Sequence, residues 1–259
     1  MQAPATNVNR TVSLTVTATD SVGVTTVRFF VDGTLLGSDT TSPYSIDWDT
    51  SGETEGDHTL TAEAVDAAGN IGTSAASTVT VQNVQVFSLT ATGIEEVPAT
   101  DSQATAQADL TVNVATGAVE GTLTTSGITA TGAHIHDAYA GTNGPVLIGL
   151  DQDAGDPALF TVPAGAAMDA AGVDRLLAGA LYVNVHSAAA PAGEIRGQIL
   201  PDGFVLRFSE LTGSESVPQV DSIASGRAAI TLDQTSGTIS IHAQVTNLDD
   251  ATQAHLHQA

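Results

Sequence analysis

Short runs of alternating apolar and polar residues, punctuated by turn residues, constrain this chain more than any other feature. Val12 to Ala18, Val24 to Val31 and Tyr44 to Trp48 each keep a period of two and are rich in Val, Thr or aromatic side chains. That period places successive side chains on opposite faces of a strand, so each run reads as a half-buried strand. Asp32-Gly33 separates two runs and suits the positive backbone angles of a tight hairpin turn. His58 to Val65 and Ser77 to Val81 continue the pattern, with Asp66 to Asn70 as a turn between them. Strands at this spacing predict a β-sandwich, with Trp48 at the centre of its core. Only Ala170 to Ala178 reads as a helix, so the chain is expected to be all-β with one short helix at most.

Composition narrows the function classes. Six basic residues stand against 29 acidic ones, for a net charge of −23, and all six are arginine. Binding nucleic acid needs cations that displace counterions from phosphates, so nucleic acid is excluded as a partner, as is an anionic membrane surface. The 42% hydrophobic content still supplies a core. Zero cysteines remove disulfides, thiolate zinc sites and Cys nucleophiles, leaving His, Asp, Glu and carbonyl oxygen as metal ligands. No run approaches the roughly 18 apolar residues of a membrane span. The first residues lack the blocks of a signal peptide, so the chain reads as a soluble mature form or excerpt. Such acidity fits a protein kept dispersed outside the cell or on its surface.

An internal repeat organises the second part. Phe87 to Ala91, Val97-Pro98, Leu110 to Val114, Gly117 and His134-Ile-His136 recur as Phe204 to Phe208, Val217-Pro218, Ile230 to Leu232, Gly237 and His255-Leu-His257. The Val-Pro pairs lie 120 residues apart and the His-x-His pairs 121, so one module occurs twice and its second copy holds only the front half.

Two resemblances follow. The segment from about Asn9 to Val81, through Thr17 to Asp20, Phe30 to Gly37, Pro43 to Trp48 and Asp66 to Asn70, resembles bacterial immunoglobulin-like repeats, with the usual first strand shortened or absent. Ala133 to His136, Asn143 to Pro145, Gly179 to His186 and Pro191 to Gly197 look like the CHRD domain, the chordin-type module of bacterial extracellular proteins. Together they imply an immunoglobulin-like sandwich over residues 1–82, a complete Greek-key-type CHRD sandwich over 87–201, and the N-terminal part of a second CHRD domain over 203–259.

The histidines are the candidate chemistry. His134 and His136 are two apart on a predicted strand, so both imidazoles leave the same face and can chelate. His186 ends another alternating run and would complete a three-nitrogen site if the strands are neighbours. Imidazole suits copper or zinc better than calcium. Asp137 is a candidate fourth ligand, with Glu194 and Arg196 as tuning groups. His255 and His257 repeat the pair without a counterpart of His186 unless His242 contributes. Histidines near strand ends can equally hydrogen-bond to loops and organise the module without metal, and both readings stand at this point. His58 reads as a surface or strand-end residue, Glu95-Glu96 as solvated loop charges, and Asp20, Asp66 and Asn70 as solvated turn residues that could reach calcium. His134 to His136 followed by Val183 to His186 and an arginine strand is similar to copper–zinc superoxide dismutases. No histidine lies between Asp137 and Val185, however, so the resemblance implies at most a mononuclear three-His site.

No phosphate loop, nucleophile elbow or other catalytic constellation is present, and no catalytic residue is assigned. The leading expectation is an extracellular structural or adhesive protein that contacts other extracellular proteins, glycans or copies of itself, its incomplete ends completed by strands of neighbouring chains in a homopolymer. The alternative is a copper- or zinc-binding module.

Overall fold

The computed structural model describes residues 7–248 and 252–255. The chain divides into two compact units, one built on residues up to 85 with 111–118, the other on 86–110 and from 119 onward.

The first unit is a two-sheet β-structure. Its strands are β1 (Asn7–Val8), β2 (Thr11–Val16), β3 (Val24–Val31), β4 (Thr34–Asp39), β5 (Tyr44–Asp49), β6 (Gly56–Asp66), β7 (Ile71–Thr73) and β8 (Ser77–Val81). One sheet runs β1-β8-β6-β3-β4 with β7 also on β6, and the other pairs β2 with β5. The short first strand exists as β1, which lies parallel to β8. Inward positions of the alternating runs make the core, where Leu14, Val27, Phe29, Trp48 and Leu60 are all buried. Each such side chain contributes on the order of 1.5–3 kcal/mol through burial. Asp32 (φ 49°) and Gly33 (φ 77°) form the predicted hairpin turn between β3 and β4.

His58 differs from its sequence reading. It is 5% exposed, lies edge-on to the Trp48 ring, and directs Nδ1 at Asp32 Oδ2 (2.7 Å) and Nε2 at the Thr54 carbonyl (2.8 Å). Carboxylate and carbonyl oxygens only accept, so both ring nitrogens carry protons and the residue is an imidazolium. The Thr54 carbonyl and then Asp32 raise its pKa against the opposing effect of burial. A raised folded pKa contributes stability that is complete below the unfolded value of about 6.5 and is lost as pH rises through the folded value. Urea denaturation of the wild type should therefore show stability falling on the alkaline side of that value. His58→Ala should flatten that slope and cost on the order of 1–3 kcal/mol at pH 6.

The second unit takes most of β9 (Val84–Thr92) and of β10 (Thr105–Asn113), with a 3-10 turn at Gly93–Glu95 between them, and then β11 (Val119–Ser126), β12 (Ala130–Asp137), β13 (Val146–Gln152) and β14 (Leu159–Thr161). After α1 (Ala170–Leu177) come β15 (Leu181–Ser187) and β16 (Ile195–Ile199). These strands close into a barrel in the order β10-β11-β14-β13-β12-β15-β16-β9. Leu110, Leu123, Ile135, Phe160, Val183 and Ile195 fill the interior. The predicted helix starts at Asp169, whose carboxylate accepts the Gly172 N–H (2.8 Å), buries Val173 and Leu176, and ends before Gly179 (φ 66°).

The repeat is then read directly in the strands. β17 (Phe204–Thr212), a 3-10 turn at Gly213–Glu215, β18 (Ser225–Asp233) and β19 (Ile239–Thr246) form a three-stranded antiparallel sheet. β18 and β19 begin 120 residues after β10 and β11, as the second 3-10 turn does after the first. The one-residue offset between the His-x-His pairs therefore falls after β19.

Candidate metal centre

β12 carries the chemistry because it alternates between two environments. Ala133 and Ile135 are buried in the core, whereas His134 and His136 occupy the opposite face. β15 pairs antiparallel with β12 and sets His134 against Asn184, Gly132 against His186 and His136 against Tyr182. His186 thus lies diagonally beside His134 on the same face. Glycine stands across from His186 at Gly132 and across from His134 at Gly149. A Cβ at either would make only ordinary contact with the His134 ring, at 3.7 and 3.9 Å, so the ring lies directly over both positions.

The result is one cluster of three rings. His134 and His186 centroids are 4.9 Å apart, His134 and His136 5.6 Å, and His136 and His186 6.1 Å. One nitrogen from each lies within 4.8 Å of the others. His136 Nδ1 is 3.0 Å from the Gly144 carbonyl, and His186 Nδ1 is 3.1 Å from the Pro191 carbonyl. Carbonyls accept only, so Nδ1 donates in both and Nε2 is left as a lone pair. Those two Nε2 atoms and His134 Nδ1 are buried with no hydrogen-bond partner. Burial holds the pKa of all three below the usual histidine value, and for His134 and His136 the neighbouring histidines add to it. The imidazoles are therefore neutral near pH 7, the form that coordinates a metal. A cluster of three imidazoles, each with a buried nitrogen that has no hydrogen-bond partner, fits a transition-metal ion.

A second layer fixes the first. The Tyr182 ring stacks on His136 (4.9 Å, 16°), and Arg196 lies over Tyr182 with Cζ 3.5 Å from the ring centroid. Arg196 is 1% exposed and donates to the carbonyls of Thr142 (2.7 Å) and Tyr139 (3.0 Å) and to Gln198 Oε1 (2.9 Å). The Gly144 N–H donates to the Tyr182 hydroxyl (3.2 Å), and a Cβ at Gly144 would collide with the Asp137 carbonyl. The loop between β12 and β13 is thereby held on the layer that orients His136.

Other candidates fall elsewhere. Asp137 leaves the opposite face from the histidines and pairs with Arg175 Nε (2.7 Å), which removes it as a ligand. Glu194 accepts from Ser102 (2.7 Å) and from Ser187, which keeps its pKa low and ties together the loops beside His186. Glu95 and Glu96 are not solvated: burial raises both, while Arg196 counters it. His255 is exposed, with Nε2 3.2 Å from Gln253 Oε1, and His257 lies outside the described residues. Among the described residues, a group of three metal-ligating side chains forms only at His134, His136 and His186. Asp20 and Asp66 accept backbone N–H groups of their own turns. Sequence reasoning missed Tyr182 and Gln198, although Tyr182 shares the period-two face of Asn184 and His186.

Because Arg196 distributes three hydrogen bonds through a planar fork, Arg196→Lys should keep the charge yet lower unfolding stability by about 2–4 kcal/mol in urea titrations.

The CHRD domain family model matches residues 87–199 and again 207–259. A bacterial Ig domain model matches residues 2–62. A fibronectin(III)-like module of Clostridium thermocellum CbhA is 29% identical over 29% of this chain and 80% of its own, with a TM-score of 0.27. No curated protein matches the chain. With CHRD matches over more than half its length, the chain belongs to the CHRD domain family, its modules preceded by a bacterial Ig domain.

Proposed function

We propose that this modular β-domain protein works outside the cell and that its complete CHRD module holds one copper or zinc ion between His134, His136 and His186. The observation that carries the reading is the convergence of three buried nitrogen atoms that have no hydrogen-bond partner. Left unmatched, such atoms cost on the order of 1–3 kcal/mol each, and a metal ion satisfies all three at once. A set of only imidazole nitrogens favours copper or zinc over calcium, which prefers oxygen. Bound there, the ion would supply Lewis acidity or redox capacity at an open position.

Calorimetric titration of copper and zinc into the wild type should show one tight site that His134→Ala/His136→Ala abolishes. Equal heats in the two proteins would overturn the reading. Protons compete with the metal only once the ligands titrate, so binding should persist below pH 6.5 and fade as pH drops through the lowered histidine values.

A structural or adhesive role is favoured by a separate observation. In the first copy Leu110, Val112, Val119 and Leu123 are sealed inside the closed ring. Their counterparts 120 residues on, Ile230, Leu232, Ile239 and Ala243, share one face of an open sheet with Ile241 and Val245. Ile239, Ile241 and Val245 are 50%, 41% and 44% exposed. Such a face, flanked by the edges of β17 and β19 that pair with no further strand among the described residues, suits strand addition by another extracellular protein or a copy of the chain. Light scattering behind size exclusion should show mass rising with concentration, and Ile241→Glu should suppress it. A monomer at every concentration would contradict this role.

A further inference from the structure

The second CHRD copy lacks a described three-His site of its own, yet it lies against the loop that orients His136 in the first copy. That loop, residues 138–145, is a plate with two sides. On one side its carbonyls hold Arg196, through Tyr139 and Thr142, and His136, through Gly144. On the other side it meets β18 and β19. The His242 ring stacks on Tyr139 (5.5 Å, 17°), and the Gln244 side-chain amide points at the Gly141 carbonyl (3.4 Å). Gly141 has φ 83°, and a Cβ there would stand 2.9 Å from Ala229 Cβ and 3.0 Å from the His242 carbonyl. Only glycine lets the loop sit this close to the second copy.

We infer that the second copy is a latch, and that His242 is a positioning residue for the metal centre of the first. This rests on the proposed metal reading for its function, but the contacts themselves do not. Loops that carry ligand-orienting carbonyls are otherwise the mobile part of a β-structure, and a ligand held loosely binds metal more weakly. Stacking from above and Arg196 from below confine Tyr139, and through the loop backbone they confine Gly144. The face of β18 and β19 that performs this is the one carrying Ala229, His242 and Gln244, opposite the open apolar face. One sheet thus has two separate uses.

The test uses the full chain with His242→Ala, which removes the stacked ring, and His242→Phe, which restores an aromatic plate without a ligand nitrogen. Two readouts are needed. Amide hydrogen exchange at Gly144 is independent of metal, and it should speed about tenfold in His242→Ala and return to the wild-type rate in His242→Phe. Copper titration should show about tenfold weaker binding and a broadened electron paramagnetic resonance spectrum in His242→Ala, both reversed in His242→Phe. Unchanged Gly144 exchange in His242→Ala overturns the latch whatever the metal does. If the wild type binds no copper while Gly144 exchange still responds, the latch stands and the metal reading fails. If His242→Phe behaves like His242→Ala, stacking is not the cause and the proposal is overturned.

Discussion

The antiparallel register of β12 against β15 is the constraint on which the site depends. Because side chains alternate strictly along each strand, a register that sends Ala133, Ile135, Val183 and Val185 into the core must also send His134, His136 and His186 outward together. A slip of one residue would exchange the two sets, placing three imidazoles in the core and exposing four aliphatic side chains. Burial of those aliphatics, at roughly 1.5–3 kcal/mol each for the larger ones, therefore assembles the three-imidazole cluster.

Once the register is set, carbonyl groups do the finer work. The carbonyls of Gly144 and Pro191 each accept a hydrogen bond from an Nδ1–H, which leaves the Nε2 of that ring as a lone pair. The stack of Arg196 on Tyr182 on His136 then limits rotation of the His136 ring. Arg196 faces two acidic groups, Glu95 and Glu96, whose pKa values burial raises against its attraction. This arrangement explains how an acidic chain keeps a buried guanidinium: it donates to three protein oxygens, on Thr142, Tyr139 and Gln198, so much of its lost hydration is compensated.

Much of this was legible in the sequence, because period two and turn residues are local signals. Trp48 in the first core, the Asp32-Gly33 hairpin, the helix after Asp169 and the shared face of His134 and His136 all follow from near neighbours in the chain. Joining His186 to that pair required only that two strands be adjacent. What escaped was long-range. His58 looked exposed because Asp32, 26 residues away, reaches it only after β3 and β6 pair. Glu95 and Glu96 looked like loop charges because the strand that buries them lies a hundred residues later, where Gln198 donates its N–H to Glu95. Asp137 was adjacent to the ligands in sequence, but alternation placed it on the other face. The latch needed two copies of a repeat to meet, which no local pattern announces.

The central claim is that three imidazoles, and no carboxylate, hold the ion. X-ray absorption at the copper edge of the copper-loaded full chain tests this most directly, since multiple scattering from imidazole rings counts those ligands in the presence of an abundant acidic surface. The account predicts a single copper environment with three imidazole nitrogens, lost in His186→Ala. A spectrum dominated by oxygen scattering, or one indifferent to that substitution, would contradict it.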